Sequence, residues 1–277
     1  MKNVSLTSEE QVPALGMGTW HMGDRASTRK TEIASLQRGI ELGMSLIDTA
    51  EMYGEGEAEK LVGEAIIGRR DEVFIVSKVY PHNASARGTV AACERSLARL
   101  ATDRIDLYLL HWRGSVPFSE TIRGFEQLKR DGKIRHWGVS NLDPDDMEEL
   151  YRTPGGTGVA ANQVLYNLSR RGIEWDLLPW CAERRLAVMA YSPIEQAELL
   201  ADARIKALAK EIGRTPVQLA LAWVLQRDNV IAIPKAGRVA HVEENFGALD
   251  CPLNTETMAK LDAIFPPPRR AEPLAML

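Results

Sequence analysis

Ser45-Leu46-Ile47-Asp48-Thr49-Ala50-Glu51-Met52-Tyr53-Gly54 runs from a short apolar segment into a polar turn that carries a carboxylate and a phenol. Leu46 and Ile47 have the character of a buried strand, Asp48 stands where that strand ends, and Tyr53 lies in the turn after it. In barrels of alternating strands and helices, the groups that do chemistry sit at the carboxyl ends of strands and in the loops that follow. The stretch therefore reads as a strand presenting a site, and the fold turns on whether the chain repeats the unit.

It repeats throughout. After a polar lead able to form a small hairpin, residues 15–20 read as a short strand whose glycines allow close backbone approach and whose end is Trp20. Residues 28–42 read as a helix, with Ile33, Leu36 and Ile40 on one face and Gly43 as its stop. Beyond the opening stretch, helix 57–67 leads to strand 73–78, which ends on Lys78. A helix bearing Val90, Cys93, Leu97 and Leu100 then leads to strand 105–112, which closes on His111 and Trp112. Helix Phe118–Arg130, strand 134–141, helix 145–151, strand 161–166, helix Leu177–Glu183 and strand 187–193 continue the alternation. Val217, Ala220, Leu221, Val224 and Leu225, spaced i, i+3, i+4, i+7 and i+8, give the apolar face of a helix before strand 230–234. Helices over 241–249 and Thr255–Ile264 and a proline-rich tail follow.

Continuous apolar strands alternating with helices require a parallel sheet covered on its outer side by helices. Eight such strands close into a barrel. The reading is an α/β fold, a (β/α)8 TIM barrel with parallel strands and outer helices, as one domain over residues 1–277. An open doubly wound sheet is the competing layout, but it would usually show GxGxxG after the first strand. Gly54-Glu55-Gly56 is the nearest approach, and it follows the second strand and lacks the third glycine.

The formal charge of −4, with both signs mixed along the chain, leaves no basic face for nucleic acid. Cys93, Cys181 and Cys251 are odd in number and far apart, so neither a disulfide framework nor a zinc ribbon is indicated. No segment has the apolar length of a signal peptide or a membrane span. A cytoplasmic monomer, with neither nucleic acid nor membrane as partner, is the expectation.

Asp48, Lys78 and His111 end three consecutive strands of this barrel, and Tyr53 starts from the same rim. Singly, each has an ordinary use: a turn cap, a solvated lysine, a satisfied core histidine, a packing or surface tyrosine. Together they make a different case. A phenol with an ordinary pKa of about 10 is a poor acid near neutrality, and an ammonium beside it lowers that value. Lys78 would tune Tyr53, Asp48 would keep the lysine charged and fixed, and His111 would hold a substrate oxygen near the phenol. Such a group protonates a carbonyl oxygen, and the carbon then needs a nucleophile. The chain has no GxSxG, no Cys/His constellation and no lysine set for a Schiff base. A hydride from a bound cofactor would fill that place.

Asp48-Thr49-Ala50 with Tyr53-Gly54, Ser77-Lys78, Leu110-His111-Trp112, Gly138-Val139-Ser140-Asn141, Gln163, Tyr191-Ser192-Pro193 and Ile233-Pro234-Lys235 match one family in order and spacing. The chain resembles the aldo-keto reductases from end to end, and most of all the bacterial branch that includes methylglyoxal reductases. The resemblance implies NADPH-dependent reduction of small aldehydes, dicarbonyls or ketones to alcohols. Tyr53 would be the proton donor, Lys78 and Asp48 would tune it, and His111 would orient the carbonyl. It also implies the cofactor contacts, among them Gly18, Thr19, Asp48, Ser192 and Ile194. Ser140, Asn141 and Gln163 would hydrogen-bond the nicotinamide carboxamide, and Tyr191 would stack on its ring. Lys235 and Arg238, ahead of a helix N-terminus, would meet the 2′-phosphate, with His241, Glu244 and Asn245 on one face of that helix at the adenosine end. Trp20 and Trp112 would wall the substrate pocket, with Tyr80 a further candidate.

The chain also departs from the commoner family pattern. Ala236 stands where serine is frequent and His241 where arginine is usual, so two phosphate contacts are weakened and NADH is expected to be accepted, less well than NADPH. Glu195-Gln196-Ala197-Glu198 lacks a glycine often found there. The tail from Pro266 to Leu277 is short for a lid over a bulky substrate, which favours small carbonyls. Two other classes fit the chain less well. A cofactor-binding regulatory subunit is disfavoured by the complete Asp48, Tyr53, Lys78 and His111 set, and a metallohydrolase barrel by five histidines without HxH or HExxH spacing.

Overall fold

The computed structural model describes residues 2–7, 10–251 and 253–277, so Met1, Ser8 and Glu9 of the polar lead lie outside it. The expected hairpin is there: β1 (Asn3–Ser5) pairs antiparallel with β2 (Gln11–Pro13). Glu10 pairs with Arg135, and Lys2 donates to the carbonyls of Leu225 and Arg227. These contacts lay the hairpin across the amino-terminal end of the barrel strands and leave the opposite rim open.

Eight strands form one parallel sheet: β3 (Met17–Gly18), β4 (Leu46–Asp48), β5 (Phe74–Val79), β6 (Ile105–Leu110), β7 (Ile134–Ser140), β8 (Ala161–Leu165), β9 (Ala187–Tyr191) and β10 (Val230–Ala232). They neighbour one another in sequence order. The sheet closes where Gly16 donates to the Ala232 carbonyl at 2.9 Å, Ala232 to Ala14 at 2.8 Å and Gly18 to Pro234 at 3.0 Å. Every residue of β5 and β6 is buried, as expected for strands with side chains on one face in the barrel interior and on the other beneath helices. This double burial is why they read as unbroken apolar runs.

The helices are α1 (Arg29–Glu41), α2 (Glu57–Ala65), α3 (Ala86–Leu100), α4 (Phe118–Arg130), α5 (Pro144–Arg152), α6 (Leu177–Glu183), α7 (Ala203–Glu211), α8 (Pro216–Leu225), α9 (Val239–Phe246) and α10 (Thr255–Ile264). Their starts are chemically marked. Thr215 and Gln218 make a reciprocal capping box on α8 with Pro216 at its first turn, and Ser85, Asp143 and Asn254 cap α3, α5 and α10 through side-chain oxygens. None of the helices among the described residues is long and apolar enough to cross a membrane.

The element ends differ from the sequence expectation by a few residues. β5 continues one residue past Lys78 because Val79 pairs with Leu110, whereas β6 stops at Leu110 and leaves His111 and Trp112 on the loop beyond. Helix α7 was not anticipated; Asp202 caps it and Ile205, Leu208 and Ala209 bury its inner face.

Candidate active site

At the open rim, β4 delivers Asp48, β5 delivers Lys78, and the turn after β4 folds Tyr53 back over both. Lys78 is fully buried, and its Nζ donates to Asp48 Oδ2 at 2.8 Å, to the Thr49 carbonyl at 2.9 Å and to Tyr53 OH at 3.0 Å. All three ammonium hydrogens therefore have acceptors. The other carboxylate oxygen of Asp48 accepts from Gln163 Nε2 at 2.7 Å. His111 presents its ring to Tyr53 edge-on at a centroid distance of 5.9 Å, and its Nδ1 is buried without a hydrogen-bond partner. Trp20 meets Tyr53 edge-on from the other side at 4.8 Å.

Burial and charge act on these groups in opposite senses. Burial drives the Asp48 carboxyl up, and the Lys78 ammonium and the Gln163 amide pull it back. Burial would lower Lys78, but the charges of Asp48 and Tyr53 hold it above the ordinary lysine value. Tyr53 lies above the ordinary phenol value, because burial and the Asp48 charge outweigh the downward pull of Lys78. This corrects the expectation that Lys78 leaves Tyr53 a stronger acid than a free phenol: it moderates a rise set by burial. His111 is pushed down to about 2 by burial and by Lys78, so its imidazole is neutral throughout the physiological range.

A cavity of about 720 Å³ opens on this corner. Gly18, Thr19, Trp20, Asp48, Tyr53, His111, Trp112, Ser140, Asn141, Gln163, Tyr191, Ser192, Ile194 and Lys235 all border it, as the sequence suggested. A continuous hydrogen-bond chain joins several of them. Tyr191 OH donates to Asn141 Oδ1 at 3.1 Å, Asn141 Nδ2 donates to the His111 carbonyl at 3.3 Å, and Ser140 Oγ donates to the Gln163 carbonyl at 2.8 Å. Ser140 and Asn141 are not the cap of α5; Asp143 takes that role, accepting from the Asp146 amide.

Other expected residues stand apart from the cavity wall. Lys78 acts from behind it, while Arg238, His241, Glu244 and Asn245 lie on or at the start of α9 outside it. Lys235, Arg238 and His241 are exposed, and neither Lys235 nor Arg238 has an ion pair among the described residues. Tyr80 is not part of the wall; its ring packs edge-on against Trp112 at 5.7 Å.

His21, Met52, Gln196 and Ala197 line the cavity without having been anticipated, and so do Met276 and Leu277 at the end of the tail. The tail thus reaches the site although it is short. Arg171 anchors its start by donating to the Phe265 carbonyl at 2.5 Å.

A protein-family model described as the Aldo/keto reductase family matches residues 14–265. Methylglyoxal reductase YeaE of Escherichia coli is 52% identical over 281 residues, spanning 100% of this chain and 99% of that protein. The glyoxal reductase of Bacillus subtilis is 34% identical, with 94% and 92% covered. Among solved structures, an aldo-keto reductase from Klebsiella pneumoniae in complex with NADPH superimposes with a TM-score of 0.97 at 50% identity, covering 100% of this chain and 99% of that one.

Proposed function

The chain belongs to the aldo/keto reductase family, and from that premise we propose that it is an NADPH-dependent reductase of small aldehydes, dicarbonyls or ketones, with Tyr53 as the proton donor. The observation that carries this is the Lys78 ammonium, which touches Asp48 and Tyr53 at 2.8 and 3.0 Å, buried behind the cavity wall.

The residues fit the cofactor. A cavity of about 720 Å³ exceeds what a small carbonyl fills, and it runs from Trp20 and Trp112 past Tyr191 to the exposed Lys235. The Tyr191 ring is steadied by its hydrogen bond to Asn141, so it offers a fixed face for stacking. Asn141, Gln163 and Ser140 supply amide and hydroxyl groups beside it, and Lys235 and Arg238 supply unpaired positive charge before α9 for phosphate. When bound, NADPH supplies a hydride for the carbonyl carbon.

The protein's own groups handle the oxygen. Tyr53 gives its proton to the carbonyl oxygen as negative charge develops there, and the Lys78 ammonium stabilises the phenolate left behind. Asp48 fixes that ammonium through a buried ion pair. His111, neutral at working pH, is a hydrogen-bond donor rather than an acid and holds the oxygen toward the phenol. Trp20, Trp112, Met52, Met276 and Leu277 give the pocket apolar walls that suit uncharged carbonyls of the kind named for the methylglyoxal and glyoxal reductases. The three cysteines are buried and unpaired, which suits a reducing, cytoplasmic setting.

The test is loss of NADPH absorbance with a panel of small aldehydes, dicarbonyls and ketones, run beside Tyr53→Phe. Turnover by the wild type alone, with cofactor binding intact in both, is the expected result. Retained turnover in the variant removes Tyr53 from the role of donor, and cofactor binding without turnover on any carbonyl removes the reductase reading.

A further inference from the structure

Tyr53 and Lys78 reach one another from different elements, and the turn carrying Tyr53 has little regular structure to hold it. Gly54, Glu55 and Gly56 follow the tyrosine with φ of 56°, 53° and 93°, three successive left-handed residues. Behind that turn, between α2 and α3 and on the outer side of the sheet, lies a buried polar chain that the proposed chemistry does not use. Successive strand residues face opposite ways, so the neighbour of Lys78, Ser77, points outward. Ser77 Oγ donates to Glu59 Oε1 at 2.6 Å, and both residues are fully buried. The second carboxylate oxygen of Glu59 accepts from Arg99 Nε at 2.5 Å, and Arg99 also donates to Ser96 Oγ at 3.2 Å. The Arg99 side chain in turn lies flush beneath Gly56, where a Cβ would come within 2.4 Å of its Cδ and 2.5 Å of its Nε.

A single path of contacts thus runs from the strand residue next to Lys78, through Glu59 and Arg99, to the last left-handed residue of the turn that holds Tyr53. We infer that Glu59 and Arg99 are positioning residues that set the Tyr53–Lys78 separation from outside the barrel, an inference that rests on Tyr53 being the proton donor. Neither residue borders the cavity, so neither touches substrate or cofactor. Their effect is confined to the alignment of a donor with its ammonium partner, where a displacement of about 1 Å costs up to about a hundredfold in rate.

Arg99→Ala alone would leave the buried Glu59 carboxylate without its cation and could fail to fold. The informative variant is therefore Arg99→Ala with Glu59→Gln, which removes the support beneath Gly56, strands no charge, and keeps an acceptor for Ser77. It is compared with Arg99→Lys, Tyr53→Phe and the wild type for thermal midpoint, NADPH dissociation constant by fluorescence, carbonyl KM and kcat. The expected result is a folded double variant with cofactor Kd and KM within about threefold of wild type and kcat lowered at least about tenfold, while Arg99→Lys, which retains cation and stem, recovers most of kcat. A double variant with wild-type kcat overturns the inference, as does one whose Kd and KM worsen in step with kcat, or an Arg99→Lys no better than the double variant. Tyr53→Phe separates the two levels. If it is inactive while the double variant turns over normally, only the positioning role fails; if it is active, the donor assignment fails and the positioning role with it.

Discussion

Replacing Asp48 by Asn probes the centre of the site through both stability and rate. Lys78 is fully buried and the Asp48 side chain is 3% exposed, so the variant leaves an ammonium in the interior with neutral acceptors alone, among them Thr49 O and Tyr53 OH at 2.9 and 3.0 Å. The new amide also cannot serve both neighbours. If its oxygen faces Lys78, its NH2 group meets the Gln163 amide donor that Asp48 Oδ1 now accepts. Removing one partner of a buried pair typically costs about 3–5 kcal/mol. A ceiling follows independently, because Lys78 escapes by losing its proton. That escape costs about 1.4 kcal/mol for each unit between working pH and the ordinary lysine value near 10.4, or about 5 kcal/mol at pH 7. The two limits agree, and at about 2–4 °C per kcal/mol for a domain near this size the thermal midpoint should fall on the order of 10 °C.

The pH dependence gives the sharper check. In the wild type Lys78 lies above its unfolded value, so its stabilisation is complete below that value and is lost as pH rises through the folded one. In Asp48→Asn, burial without a counter-ion depresses Lys78, so that penalty vanishes at high pH and grows as pH falls toward the depressed value. The variant's shrinking penalty narrows the gap in thermal midpoint between about pH 7 and about pH 10, and the loss of the wild-type stabilisation narrows it further only above that. Differential scanning fluorimetry across that range measures it, alongside kcat, which should drop about a hundredfold near neutrality with the ammonium lost. A gap that does not change with pH, or a variant with wild-type midpoint and rate, would refute the buried ion pair as the organising charge.

Because Tyr53 is held above the ordinary phenol value, kcat for reduction should stay level from about pH 6 to about pH 8 and decline only on the alkaline side, while oxidation of the alcohol should rise with pH. A reduction rate that titrates away between about pH 5 and about pH 7 would instead implicate a histidine acid, a role His111 cannot take with its pKa near 2. His241→Arg on the exposed face of α9 should raise the ratio of kcat/KM for NADPH over NADH by about tenfold through one added charge-assisted hydrogen bond; an unchanged ratio places the 2′-phosphate elsewhere. Ala197 is exposed with φ 75°, so Ala197→Gly should relieve left-handed strain and gain about 0.5–1 kcal/mol in urea unfolding, net of glycine's entropy; a loss of stability would show that the loop is not strained.

Much of the barrel was legible because its strands are buried on both faces. Ile105–Leu110 and Phe74–Val79 offer the solvent nothing, so their composition betrays them without any alternation. Their carboxyl ends were harder to fix, since Lys78 and His111 are polar for the sake of the site and interrupt the apolar signal just where the strand stops. The convergence of Asp48, Lys78, His111 and Tyr53 followed from rim geometry alone. The direction in which Tyr53 titrates did not, because the expectation counted the ammonium and not the loss of water around the phenol. Helix α7 carried a readable signal in Asp202 and the Ile205, Leu208, Ala209 stripe, but the pattern is short and follows an irregular loop. Met276 and Leu277 carry no periodicity, and their place in the cavity wall comes from the tertiary path of the tail.

The seam between β3 and β10 joins the first and the last barrel strand that a ribosome delivers. Gly18 and Thr19 stand on one bank of the cavity, and Ile233 and Lys235 on the other. A nascent chain that has emitted β4 to β9 already holds Asp48, Tyr53, Lys78 and His111, yet it has only half a berth for a dinucleotide. The berth comes into being when the first barrel strand finds the last. Any ligand that spans it then clasps the newest strand of the barrel to the oldest and favours the closed ring by mass action.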